Sequence, residues 1–327
     1  MSVKIDWASQ IGKRLRLRDL HVFSTIVRLG SMGKAALELG VSQPAVSEVI
    51  ADLEHAVGAR LFDRTPRGVV TTAAGASLER RVLAAFDELK QGIKDIEFLS
   101  DPTIGEVRIG CPESISAAIL QPICEVFTQR YPRVVLDVDT VNTLSFAQKL
   151  RDRNLDVVLA RGGWPLEDEE LVTDFDVETL YDDELVIAAG ARSEWARRRK
   201  IDIAELRDEQ WILTGADRLN YLVIANAFRA RGLDVPNIAI KTISVHLRAS
   251  MVATGRFITT FPRSVLALHA ERFALNMLPI DLPNANWPVK IATLRNRSLS
   301  VVVKRFIACA REIAISPAGG KRANKLR

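Results

Sequence analysis

The sequence predicts an α/β chain with a helical front end: an N-terminal winged helix-turn-helix, a long linker helix and a larger α/β region. Three observations carry this. Two short amphipathic helices meet across a tight turn between Ser31 and Gly58. Apolar residues keep a 4-3 spacing from Thr72 to about Leu99. From Gly105 onward, short apolar strands alternate with helices, a pattern that makes layered sheets with helices on both faces.

Composition bounds the answer. At 327 residues the chain exceeds what one core usually supports, and 48% apolar with 26% charged residues is ordinary for a soluble globular protein. No apolar run is long enough to span a bilayer, and the opening M-S-V-K-I-D-W-A-S-Q lacks the apolar core of a signal peptide, so a cytoplasmic protein is expected. Cys111, Cys124 and Cys309 are too widely spaced for a zinc site or a disulfide framework, and no cofactor or metal is expected. The net charge is +5, but Pro317 to Arg327 holds four basic residues and no acid, so the rest of the chain is nearly neutral. Basicity alone is weak evidence for a nucleic-acid partner; motifs have to carry that argument.

Residues 1 to about 16 form a polar leader, with Lys13, Arg14, Arg16 and Arg18 near the helical region. A first helix from Arg18 to Leu29 places Leu20, Phe23, Ile26 and Val27 on one face. Ser31 is set to cap a second helix with Met32, Ala35, Ala36 and Leu39 inside, and Gly40 suits its left-handed end. Ser42 caps a third, with Pro44 in the first turn and Val46, Val49, Ile50, Leu53 and Val57 as its stripe up to Gly58. In a helix-turn-helix the second of two such helices enters the major groove with its N-terminal residues facing base edges, which leaves Gln43 and Ser47 as exposed polar side chains there. Leu61, Phe62, the Thr65-Pro66-Arg67-Gly68 turn and the run from Val69 to Thr72 predict a two-stranded wing, flanked by Arg60, Arg64 and Arg67 as phosphate contacts. The alternative is a buried helical hairpin of an ordinary α-helical domain, with solvated arginines.

The residues from about Leu17 to Gly75 resemble the N-terminal domain of LysR-type transcriptional regulators, and the remainder resembles their effector-binding domain. The resemblance rests on Gly30-Ser31, Ala35-Ala36, Leu39, Val41-Ser42-Gln43-Pro44-Ala45-Val46-Ser47, Leu53-Glu54, Gly58, Leu61-Phe62, Arg64 and Thr72 with Gly75. Met32-Gly33-Lys34, Glu48 and Thr71 depart from the family pattern; Lys34 can add a phosphate contact, and Glu48 repels a polyanion unless it accepts from a cytosine amino group. The DNA-binding set is thus Ser31, Lys34, Ser42, Gln43, Pro44, Ser47, Arg60, Arg64 and Arg67. The implied function is sequence-specific transcriptional regulation tuned by a small molecule, with a double-stranded operator, a homodimer or homotetramer and RNA polymerase as partners.

Thr72 is placed to cap a linker helix to about Leu99, with Leu78, Val82, Ala85, Leu89, Ile96 and Leu99 as a dimer seam and Gly92 at one seam position. The other reading is an amphipathic helix lying on its own domain. Expected boundaries are 1–72 for the head, 73–100 for the linker, 101–316 for the effector domain and 317–327 for a basic tail. Strands are expected at Val107–Cys111, Val134–Val138, Val157–Ala160, Leu185–Ala189, Trp211–Leu213, Ile238–Thr242, Phe257–Thr260 and Lys290–Leu294, in mostly parallel sheets. Helices are expected at 117–130, 145–153, 220–231, 245–254, 264–271 and 298–313.

The resemblance implies a periplasmic-binding-protein-like domain of two lobes, lobe I at 103–175 and 277–315 and lobe II at 176–276, crossing near Thr179-Leu180 and Leu275. Met251 to Gly255 followed by Phe261-Pro262 is similar to the family's glycine-rich stretch, with Arg256-Phe257 departing from it. Ligands sit beyond the carboxyl ends of strands in open α/β sheets, which marks Ser114, Ser116, Thr140, Asn142, Arg161, Thr214, His246 and Thr260 as the effector-binding set. Ser114 and Ser116 at a helix start and Arg161 after a strand favour a small polar or acidic metabolite. The competing reading has Arg161 paired with an acid such as Glu113 and the serines merely capping. Cys111, His246 and Asp139 can be drawn as a catalytic trio, but buried structural cysteine is the commoner role, and no H-E-x-x-H, G-x-S-x-G or phosphate loop is present. A transport-type solute-binding protein is disfavoured by the N-terminal head.

Overall fold

A computed structural model describes residues 15–66, 68–101, 103–140, 145–162, 173–215, 219–283 and 285–315. Residues 1–14 of the leader, the basic tail, Arg67 and Asn142 lie outside these. The chain divides into two compact units, Met1–Gly92 and Ile93–Arg327.

In the first unit, helices α1 (Leu17–Leu29), α2 (Met32–Leu39) and α3 (Gln43–Val57) precede a hairpin of β1 (Phe62–Thr65) and β2 (Gly68–Thr71) and the long α4 (Ala73–Ser100). The punctuation follows local chemistry. The Ser31 hydroxyl accepts the Lys34 N–H at 3.4 Å, Ser42 accepts that of Ala45 at 3.3 Å, and Gly40 and Gly58 close their helices at φ 67° and 70°. Thr72 accepts the Gly75 N–H at 3.0 Å and so caps α4. Phe23, Ile26, Ala35, Ala36, Val46, Ile50, Leu53, Leu61 and Phe62 form the core, with the Phe23 and Phe62 rings 5.3 Å apart.

Two ties the sequence did not announce dock the wing. The Glu54 carboxylate accepts the N–H groups of Leu61 at 2.6 Å and Phe62 at 3.2 Å, and the Val69 N–H donates to the Gly30 carbonyl at 3.1 Å. A Cβ on Gly68 (φ 135°) would stand 2.4 Å from that carbonyl, so the approach admits glycine alone.

The linker seam divides. Val82 is 2% exposed and, with Leu78 and Phe86, completes the core of the head. Those positions belong to the alternative reading, a helix lying on its own domain, and the head therefore extends past residue 72. Leu89, Ile96 and Leu99 of the seam, and Ile93, which the expected seam did not include, are 49% to 79% exposed. The end of α4 belongs to the second unit: Phe98 is buried in its core, and the Asp95 carboxylate accepts the Val301 N–H at 3.2 Å.

The second unit holds two five-stranded sheets. The first, in order β4-β3-β5-β12-β6, combines β3 (Ile104–Gly110), β4 (Arg133–Asp139), β5 (Val157–Arg161), β6 (Phe175–Tyr181) and β12 (Val289–Leu294). The second, in order β11-β7-β10-β8-β9, combines β7 (Leu185–Gly190), β8 (Trp211–Leu213), β9 (Ile238–Lys241), β10 (Ile258–Pro262) and β11 (Leu275–Met277). Each sheet is mixed rather than mostly parallel. β12 runs antiparallel to β5 and β6, and β7 runs antiparallel to β10 and β11, because these strands enter from the other lobe.

Two expectations change here. β6 and β11 are strands the sequence reading omitted, and they move the crossings. Phe175–Tyr181 belongs to the first sheet, so the chain leaves lobe I after Tyr181, later than Thr179-Leu180. Leu275–Met277 belongs to the second sheet and Leu278, Leu282 and Ala285 pack in that lobe's core, so the return falls between Ala285 and Val289 rather than near Leu275.

The helix expected at 117–130 is interrupted. One turn (Glu113–Ile115) runs into a π-helical segment, Ser116–Leu120, and then α5 (Gln121–Arg130). Pro122 cannot donate to the carbonyl four residues back, which is that of Ala118, and its ring would collide there. Ala118 accordingly leaves helical geometry (φ −127°, ψ −107°) and is buried against the second lobe's cluster. Helices α6 (Phe146–Arg151), α7 (Leu219–Arg229), α8 (Val245–Ala253), α9 (Arg263–Phe273) and α10 (Val301–Ile315) complete the unit.

A buried ion cluster fastens lobe I. Asp156 accepts from the Arg108 backbone at 3.0 Å, from Arg108 Nη2 at 2.7 Å and from Arg297 Nη2 at 2.9 Å. Burial alone would raise its carboxyl, but the hydrogen bonds and charges of the two arginines more than reverse this and hold it below the ordinary carboxylate value. Among the described residues no helix is long and apolar enough to cross a membrane, and no three His, Cys, Asp or Glu side chains are grouped to hold a metal ion.

Candidate DNA-reading surface and effector cleft

On the head, the N-terminal turn of α3 carries exposed Ser42, Gln43 and Pro44, with exposed Lys34 on α2 and Arg60 before the wing. Gln43 Oε1 lies over Gly33, 3.5 Å from where a Cβ would be, an ordinary contact distance. Ser31 is half-buried and spends its hydroxyl on its helix. Ser47 is half-buried too, and its hydroxyl meets Met32 Sδ at 3.6 Å, which ties one family-like residue to one of the departures. Arg64 sits in β1 opposite Val69.

The cleft between the lobes is differently built from what the sequence suggests. Arg161, at the end of β5, is paired with Asp183 at the crossing; Asp183 also takes the Ser264 hydroxyl at 2.5 Å, and Arg161 Nη2 donates to the Ser114 carbonyl at 3.2 Å. Arg161 thus has a buried acid as partner, neither an open position nor Glu113. The Ser116 hydroxyl donates to the Glu113 carbonyl at 2.9 Å and the Ser116 N–H to Pro112 O at 3.2 Å, so the helix start expected to hold an anion is spent on its own turn. Thr214 is buried and donates to Asn220, while Thr140 is exposed.

The helix terminus that does hold a carboxylate is in the other lobe. Glu113 reaches across to α8, accepting the N–H groups of Val245 at 3.0 Å and His246 at 3.2 Å and the Ser244 hydroxyl at 3.5 Å. One turn further in, Arg248 is 4% exposed; it donates to the Thr260 carbonyl at 2.7 Å, lies 4.9 Å over the Phe261 ring, and leaves its Nε without a partner. Burial pulls its guanidinium down to about 10, opposed by the charge of Glu113, and it stays cationic at neutral pH. Thr260 Oγ1 is buried without a partner as well. Arg248 was missed as a site residue because it lies within a helix rather than after a strand; Glu113 stands where the cleft lining is expected, after the first strand, but its partner, 131 residues away, was not foreseen.

In the drawn catalytic trio Cys111 and Asp139 are neighbours, the Cys111 N–H donating to the Asp139 carbonyl at 2.9 Å, but their side chains and the His246 ring are engaged otherwise. Burial pushes the Cys111 thiol up to about 12, Asp139 is paired with Lys149, and the His246 ring meets Phe273 at 5.9 Å between centroids.

A winged helix-turn-helix followed by a long helix and a two-lobed α/β domain is the layout of a ligand-responsive DNA-binding regulator. The chain belongs to the LysR family of transcriptional regulators: residues 17–76 match the bacterial regulatory helix-turn-helix protein of the lysR family, and residues 100–314 match the LysR substrate binding domain. It is 30% identical over 247 residues to the HTH-type transcriptional regulator TdcA of Escherichia coli (strain K12), covering 76% of this chain and 77% of that protein. Among solved structures, a full-length OxyR variant from Pseudomonas aeruginosa aligns over 92% of this chain and 94% of its own, with a TM-score of 0.62 at 20% identity. Full-length CbnR complexed with its target DNA aligns over 92% of this chain and 100% of its own, with a TM-score of 0.52 at 18% identity. The protein is accordingly a transcriptional regulator with an effector-binding domain, and the solute-binding reading falls away.

Proposed function

We propose that this regulator reads its operator through Gln43, Pro44 and Ser42 at the N-terminal turn of α3, with Ser47 packed behind them against Met32. Lys34, Arg60, Arg64 and Arg67 supply the phosphate contacts. The observation that carries the reading is a capped helix whose first turn stays open to solvent beside a docked wing. Affinity then comes from the cations and base preference from the amide of Gln43. The chain works in the cytoplasm as a homodimer or homotetramer alongside RNA polymerase, and its effector is a small polar or acidic metabolite held between the lobes. Thr140 and Asn142 remain candidates from lobe I, and Thr260, Thr214 and His246 from lobe II.

The exposed half of the linker seam supports self-association. A row of Leu89, Ile93, Ile96 and Leu99 wants a partner helix, whereas Val82 does not. A nuclease footprint of the purified protein on genomic fragments tests the DNA reading, and two protected half-sites about 10 bp apart, or a multiple of that, are expected. In sedimentation, Leu89→Asp with Ile96→Asp should shift the protein to a smaller species that still folds; an unchanged species places the interface elsewhere.

A further inference from the structure

We propose that Glu113 is a tethered stand-in for the carboxylate of an acidic effector, seated at the N-terminus of α8 and displaced when a free small carboxylate takes that position. The inference rests on the reading of the inter-lobe cleft as the effector site and names both the ligand's chemical class and how the site is regulated.

Three donors of the second lobe converge on one carboxylate of the first: the Val245 N–H, the His246 N–H and the Ser244 hydroxyl, which itself accepts the Leu247 N–H at 3.3 Å. A helix start attracts anions by its free N–H groups and its dipole, but a helix can end on a side chain for purely local reasons. A second observation points to a ligand. Arg248, the fourth residue of the same helix, is 4% exposed, with no carboxylate paired to it among the described residues and with Nε unsatisfied, and Thr260, whose carbonyl it meets, is 0% exposed with its hydroxyl unsatisfied too. A buried guanidinium without a direct counter-ion is costly, and so is each orphaned polar group. Arg161 leaves its Nε unsatisfied as well, but its charge is met directly by the Asp183 carboxylate, whereas Arg248 has no paired carboxylate among the described residues and feels only the charge of Glu113. The Glu113 carboxylate therefore satisfies the N-terminus of α8 while Arg248 Nε and Thr260 Oγ1 stay unmet. On this proposal a free carboxylate, without a tether to lobe I, takes the helix start and supplies Arg248 with the counter-charge that Glu113 gives only at a distance.

Displacement also changes how the lobes are held. One tie, Glu113 to α8, breaks; the other, through Arg161, Asp183 and Ser264, stays. The released segment, Glu113–Ile115 and the π-helical turn after it, carries Ala117 and Ala118, which press on the second lobe, with Ala117 O 2.6 Å from His269 Nε2. Ligand entry at α8 is thereby converted into a change at the lobe contact, in the sense that one carboxylate replaces another but only one of them is attached to lobe I.

The experiment compares full-length wild type, Glu113→Ala and Glu113→Gln, with sodium acetate and sodium malonate as probes and sodium chloride at matched ionic strength as control. A tethered group competes at millimolar effective concentration, so the half-saturating malonate concentration by calorimetry should fall roughly tenfold or more in Glu113→Ala. Acetate should restore the melting temperature that the alanine variant loses. Glu113→Gln, which keeps the shape and an acceptor oxygen but no charge, should fall between the two and decides the matter if the alanine variant does not fold. Acetate acting no better than chloride, or equal malonate affinity in all three proteins, overturns the proposal. The regulator reading fails separately: a wild-type protein that protects no DNA while the malonate gap is present refutes the coupling to an operator and leaves the displacement supported.

Discussion

Two serine-capped helix termini in this molecule look alike in sequence and have opposite fates. Ser42 opens α3 and Ser244 opens α8; each accepts the N–H three residues on, at 3.3 Å in both cases. The turn at Ser42 is exposed, and its outward side chains are available to a partner. The turn at Ser244 is already answered by a carboxylate from another lobe. Local chemistry makes the terminus; what stands in front of it decides whether it is a reading surface or a filled receptor.

The largest expected effect probes how far lobe I depends on distant charge pairs. Asp156→Ala takes the shared carboxylate from buried Arg297 and half-buried Arg108 and should cost about 3–5 kcal/mol in the unfolding of the effector domain, followed by calorimetry. Because the Asp156 carboxyl is held low when folded, its contribution is present above the unfolded carboxylate value and is lost as pH falls through the folded one. Acid melts of wild type should thus fall more steeply than those of the variant. Next comes Gln43→Ala on the open terminus. It should remove about 1–3 kcal/mol of preference at one base position per half-site without altering thermal stability, whereas Arg60→Ala should weaken all duplexes alike and flatten the salt slope. An unchanged operator preference would break the assignment of the reading turn. The smallest effect compares the termini directly. Ser42→Ala should cost about 1 kcal/mol, and Ser244→Ala less, since the Glu113 carboxylate still faces the helix end. Equal losses in thermal melts would mean that Glu113 adds nothing to its helix.

What the sequence disclosed follows the range of the interactions. Ser31, Gly40, Ser42, Pro44, Gly58 and Thr72 act on residues within four positions, and each stands where its chemistry implies. β6 was legible in principle, since Phe175 and Val177 alternate with Asp176 and Glu178, whereas three-residue β11 is too short to show a period. The break at Ala118 was readable from Pro122. The partners of Arg161 and Glu113 were not, because a cation or an acid after a strand can meet any opposite group that the fold brings round, and only the lobe crossings decide which.

The burial of Val82 among the residues of the head has a practical corollary for recombination between regulators of this type. A graft cut at the end of the wing would sever the donor's own interior and leave Leu78, Val82 and Phe86 to be matched by chance with a foreign head. Gly92, where a methyl group would meet nothing within 4 Å and where the two compact units part, is the joint at which heads and sensors can be exchanged as intact modules.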